Sequence, residues 1–123
     1  GDSVAAAEAA AHALAGAAGA VVAVTGETDF VTDGARAVRV HGGSALMPRV
    51  TALGCALSAL TASFCAAEPD PFAATVSALA FYAAAGERAA VGAAGPGSFA
   101  VAFLDARAGL APADIGADRV RPA

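Results

Sequence analysis

The stretch Arg49-Val50-Thr51-Ala52-Leu53-Gly54-Cys55-Ala56-Leu57-Ser58-Ala59 holds the residues best spaced for chemistry. A Thr-x-x-Gly segment runs into an amphipathic pattern, which places Cys55 in the first turn of a helix. Helix starts carry free N–H groups and a partial positive charge, so they attract phosphates and other anions. They also favour a thiolate over a thiol. An anion site and a reactive side chain therefore coincide, which is what phosphoryl transfer requires. The competing reading of Cys55 is a small buried hydrophobe that caps a core helix. Gly54 lets the backbone approach a phosphate without a Cβ, or else only permits a tight turn. Arg49 could reach a phosphate, or could be a plain surface arginine.

A second segment stands upstream, Val22-Ala23-Val24-Thr25-Gly26-Glu27-Thr28-Asp29-Phe30-Val31-Thr32-Asp33-Gly34. Its apolar run ends in Thr-Gly, so Thr25 falls at a strand end, where open α/β sheets bind ligands. Glu27 could serve there or be a solvated turn carboxylate. Asp33 is explained by the Asp-Gly turn. His12 and His41 have no ligand partner at suitable spacing, and no Cys/His cluster has zinc spacing.

Together the two segments resemble the hydroxyethylthiazole kinase family of ribokinase-like enzymes. The family pattern reads V-x-V-T-G-E-x-D-[FY]-V-x-D-G, followed about thirty residues later by V-T-G-x-G-C-x-L-[ST]. Gly95-Pro96-Gly97-Ser98-Phe99 extends the match. The resemblance covers nearly the whole chain but only the C-terminal half of the family's length. It implies a ribokinase-like three-layer α/β/α fold, half present, with residues 1–123 as part of one kinase domain. It implies transfer of the γ-phosphate of ATP to the primary alcohol of 4-methyl-5-(2-hydroxyethyl)thiazole in thiamine salvage, with Mg²⁺, in a homotrimer; two cysteines too far apart to pair fit a reducing, cytoplasmic home.

By the same resemblance, Cys55 is the catalytic residue, at a place where other ribokinase-like kinases and the related dehydratase carry Asp. Gly54, Cys55 and Ala56 form the anion hole, and Thr25 contacts ATP. Ala52 departs from the pattern: the family has Gly here, against the thiazole, and Leu53 is larger than the usual neighbour. The family's metal-binding Asn-x-x-Glu segment belongs to the other half, and no Asn occurs here. The chain alone is therefore expected to have little or no kinase activity. The runner-up is another ribokinase-like small-molecule kinase or the related dehydratase, against which Cys55 argues, and a non-catalytic remnant of the fold is the reading from another class.

Composition limits the elements that could position these groups. The chain has 123 residues and a net charge of −4, and all seven basic residues are Arg, singly spread. No basic stripe suits nucleic acid, and no apolar run has the ~18–20 residues of a membrane span. The opening Gly1-Asp2-Ser3 is acidic and reads as no secretory signal. Apolar residues make up 58%, but forty are Ala, so the core should be thin. Cys55 and Cys65 lie roughly 15 Å apart on one helix, beyond disulfide reach.

Punctuation by Gly and Pro predicts helices over 2–18, capped at Asp2 or Ser3 and stopped at Gly19, over about 55–66, and over 72–91. Leu57, Leu60 and Phe64 mark one buried face; Phe72, Val76, Leu79 and Ala83 mark another. A further helix opens or is capped at Ser98 and carries Phe99, Phe103 and Leu104. Residues 21–24 read as a buried parallel strand. Strands 30–32 and 37–40 read as a hairpin on Asp33-Gly34, and a last short strand is expected near Arg119. Pro48 should keep its surroundings extended.

Overall fold

The computed structural model describes residues 2–123. An alanine-rich helix α1 (Asp2–Ala18) stops at Gly19, whose φ of +62° suits a residue without Cβ. The cap expected at Asp2 rests on a side chain outside the described residues, and Ser3 already lies inside the helix. Three strands follow: β1 (Val22–Val24), β2 (Asp29–Thr32) and β3 (Ala37–Val40). Next come helices α2 (Leu53–Ala67), α3 (Pro71–Ala90) and α4 (Pro96–Gly109), and a closing strand β4 (Val120–Pro122). The expected helices and the expected last strand are all present.

The sheet runs β1-β2-β3-β4, every pair antiparallel. This corrects the parallel, buried reading of the first strand: β1 is an edge, and Ala23 is exposed. A three-residue apolar run carries no information on strand direction. The hairpin forms, with a longer turn than two residues, Asp33-Gly34-Ala35-Arg36. The Asp33 N–H donates to the Arg36 carbonyl (3.2 Å), and the Asp33 carboxylate accepts from the Ala35 and Arg36 amides at 2.9 and 2.6 Å. These bonds, with the Arg36 side chain, hold its carboxyl at about 2, well below the usual range.

Strand alternation distributes the layers. Phe30 and Arg39 are cross-strand partners; Arg39 reaches Glu8 of α1 at 2.7 Å, and Thr32 on the same face approaches His12 Nδ1 at 3.4 Å. Val31 and Val40 face the other way, where they pack with Phe72, Leu79 and Ala80 of α3. The order is thus α1, sheet, α3, the expected α/β/α sandwich, with α2 and α4 packed on α3.

Helix α3 begins where Pro71 cannot continue α2 and where the Asp70 carboxylate accepts the Phe72 N–H at 3.1 Å. The expected stripe is there: Phe72, Leu79 and Ala83 are buried and Val76 is half-buried. Burial extends well beyond it, because Ala74, Ala78 and Ala85 are fully enclosed as well. Small side chains let the sheet, α2 and α4 all approach one helix. On its far side Leu53, Tyr82, Phe99 and Phe103 form a second cluster. Phe99 and Phe103 stack at 5.8 Å.

Of the large residues expected on the last helix, Phe99 and Phe103 are buried together with Ala106, whereas Leu104 is 62% exposed. The helix opens at Pro96, and Ser98 serves it from inside: its Oγ accepts the Ala94 and Gly95 amides at 2.9 and 3.3 Å. Pro48 sits within a 3₁₀ turn, Met47–Arg49, not in extended chain. Proline fits the first positions of a helical turn, whose N–H groups go unpaired anyway.

Candidate active site

A cleft of about 1020 Å³ opens among two loops and two helices. The β1–β2 loop contributes residues 25–29, and the loop after β3 contributes Gly42, Gly43 and Ser44. The first turn of α2 adds Leu53 and Gly54, and α3 closes the base with Tyr82. The structure thus brings Thr25 and Gly54 to the same cavity. Ala52 and Cys55 flank the lining residues on either side and are both exposed. Arg49 is exposed in the turn ahead of them.

The start of α2 is uncapped by any side chain. The Ala56 N–H donates to the Ala52 carbonyl at 2.9 Å, so Ala56, expected as a donor of the anion hole, is already engaged in the helix ladder. The Gly54 and Cys55 N–H groups make no hydrogen bond with any described residue. Two oriented donors therefore remain at the cleft, as the first turn of a helix dictates. Cys55 is a free, exposed thiol, as is Cys65. Within this chain, then, Cys55 is not enclosed by the core.

Gly54 is helical, and a Cβ built on it would meet nothing within 4 Å. It neither makes the turn nor relieves a clash inside this chain. The turn is made by Ala52, at φ +68° the one non-glycine residue with positive φ among those described. A left-handed conformation costs an L-residue roughly 1–2 kcal/mol. Ala52→Gly is therefore expected to stabilise the chain by about 0.5–1 kcal/mol after the added entropy of an unfolded glycine, seen as a higher urea midpoint. A lower midpoint would contradict a strained Ala52.

Tyr82 escaped the sequence reading. Its buried hydroxyl donates to the Leu53 carbonyl, and its ring meets Phe103 edge-on at 4.9 Å and 77°. Burial pushes its pKa up to about 12, so it stays a neutral donor. The bond ties the first turn of α2 to the core. The available signal was a lone tyrosine among the alanines of α3, since a buried Tyr hydroxyl needs a partner.

Two carboxylates border the cleft. Asp29 accepts the Gly26 N–H at 3.0 Å; burial raises its pKa, and that bond partly opposes the rise. Glu27 is exposed. No three His, Cys, Asp or Glu side chains gather among the described residues. Nor is any described helix long and apolar enough to cross a membrane.

Comparison with known proteins places this geometry. The model of the hydroxyethylthiazole kinase family matches residues 1–112. A protein named hydroxyethylthiazole kinase from Cereibacter sphaeroides is 62% identical over 111 residues, 90% of this chain and 42% of the relative. One of the same name from Rhizobium etli is 68% identical over 92 residues, 74% of this chain and 36% of its own. A solved hydroxyethylthiazole kinase from Pyrococcus horikoshii superposes with a TM-score of 0.84 at 38% identity, over 89% of this chain and 42% of that one. The chain spans less than half the length of each of these relatives.

Proposed function

This chain belongs to the hydroxyethylthiazole kinase family, and we propose that it is the C-terminal half of a kinase domain that phosphorylates the primary alcohol of hydroxyethylthiazole. The observation that carries the reading is the start of α2. Gly54 and Cys55 offer free N–H groups beside a cleft that Thr25 also lines, and the bare Cα of Gly54 has no packing reason within the chain. A glycine in a helix costs about 1 kcal/mol relative to alanine. Close approach of a phosphate at Gly54 would offset that cost.

In this reading ATP supplies the phosphoryl group, and Thr25 and Arg49 help to hold it. Cys55, acting as its thiolate, takes the proton from the substrate hydroxyl and becomes the thiol, while the substrate oxygen bonds to the γ-phosphorus and the bond to ADP breaks. The Gly54 and Cys55 amides neutralise charge on the transferring group, and positioned donors of this kind do most of the work in phosphoryl transfer. Ala52, beside the thiazole, narrows the substrate side by one methyl. Mg²⁺ belongs to the proposed assembly with ligands from outside these residues, and a cytoplasmic homotrimer completes it.

The test joins the chain behind the N-terminal portion of the Cereibacter sphaeroides relative and measures ADP formed with and without the thiazole alcohol. Alcohol-dependent ADP is expected from the joined protein and little or none from the 123-residue chain. A joined protein that folds and binds ATP but makes no alcohol-dependent ADP would favour the non-catalytic remnant.

A further inference from the structure

The loop after β3 forms one wall of the cleft, and it is fastened from outside by side chains absent from the cavity lining. Arg119 stands in the 3₁₀ turn Ala117–Arg119, just ahead of β4. Its Nη1 and Nη2 donate to Glu87 Oε1 and Oε2 of α3 at 3.0 and 3.1 Å. The same Nη1 donates to the His41 carbonyl at 3.1 Å, and the Arg119 carbonyl accepts the His41 N–H at 2.8 Å. Glu87 Oε1 in turn accepts the Gly43 N–H at 3.2 Å. Between these contacts Gly42 adopts φ +118°, and a Cβ there would lie 2.2 Å from Arg119 Nη1 and 2.3 Å from Glu87 Oε1. The ion pair occupies the space that any side chain would need.

An isolated surface pair is worth little. This one is bidentate, its Arg side chain is only 13% exposed, and it hydrogen-bonds His41 and Gly43 on either side of Gly42. Its hydrogen bonds to Arg119 also hold the Glu87 carboxyl below the usual range. Arg119 Nε further donates to the Ile115 carbonyl at 2.5 Å, so the guanidinium is fixed on several sides.

We propose that the Arg119–Glu87 pair is a positioning strut that fixes residues 42–44 as the wall of the cleft and so governs its affinity for an anionic ligand that it never touches. The affinity half rests on the reading of the cleft as a nucleotide site.

The test follows hydrogen exchange and ATP titration of the joined protein described above and of its Arg119→Ala, Arg119→Lys and Glu87→Gln variants. In Arg119→Ala, amides 42–46 should exchange about ten-fold faster while those of α4 are unchanged, and ATP should bind about ten-fold more weakly. Alkylation of Cys55 by iodoacetamide, followed with Cys65 replaced by Ala, should keep the parent rate. Arg119→Lys should fall between, since one ammonium cannot make both bonds. Unchanged exchange at 42–46, exchange that rises equally in α4, or a faster loop with unchanged ATP affinity would each overturn the strut. A parent that binds no ATP would sink the nucleotide reading instead, and the exchange result alone would then decide the strut.

Discussion

Cys55→Ala in the completed kinase is expected to lower kcat by about 10²–10⁴-fold, the usual contribution of a general base, while nucleotide affinity stays at the parent level. The asymmetry follows from where the thiol stands. The amides at the start of α2 are backbone and survive the substitution, so phosphate binding survives with them. Only the proposed proton acceptor is lost. Cys55→Asp should retain or raise the rate, because a carboxylate at the same place accepts the same proton. Cys65→Ala, which removes an exposed thiol from the same helix, should leave kcat unchanged. Steady-state kinetics with both substrates varied separates these outcomes, and a Cys55→Ala enzyme as fast as the parent would end the catalytic role.

The second large effect is on stability. Phe99 is fully buried between α3 and α4 and stacks on Phe103. Phe99→Ala is expected to cost about 3–5 kcal/mol, because little around it can collapse into the vacated volume. Against a total stability of about 5–15 kcal/mol, that brings the chain close to unfolding at room temperature. Leu104→Ala, on the exposed face of the same helix, should change stability by no more than about 0.5 kcal/mol. Urea titration followed by circular dichroism measures both. Equal losses at the two positions would mean that α4 does not pack as described.

Helices were the most legible part of this chain, because its glycines and prolines fall at their ends: Gly19 after α1, Pro71 at the start of α3, Pro96 at the start of α4. The hairpin was legible through Asp33, whose carboxylate makes the turn. The direction of β1 was not, since three small apolar residues read alike in a parallel or an antiparallel strand, and its pairing with β2 is set by the rest of the fold. Within the site, the resemblance put Thr25 and Gly54 together, and both line the cleft. The engagement of Ala56 and the left-handed Ala52 depended on the exact start of α2, and nothing local marks an alanine for positive φ. Tyr82 with Leu53, and Arg119 with Glu87, are joined across 29 and 32 residues. Such pairs leave no periodicity to read.

Helix α3 carries a consequence for how this sequence can change over generations. With Ala74, Ala78 and Ala85 fully enclosed by neighbours on several sides, each added methylene there has no free volume to enter. A saturation scan should find these sites closed to larger residues, while solvent-facing positions of α1 accept almost any helix former. Divergence among descendants of this chain would then accumulate on its outer helix and spare the central one, even at positions far from any chemistry.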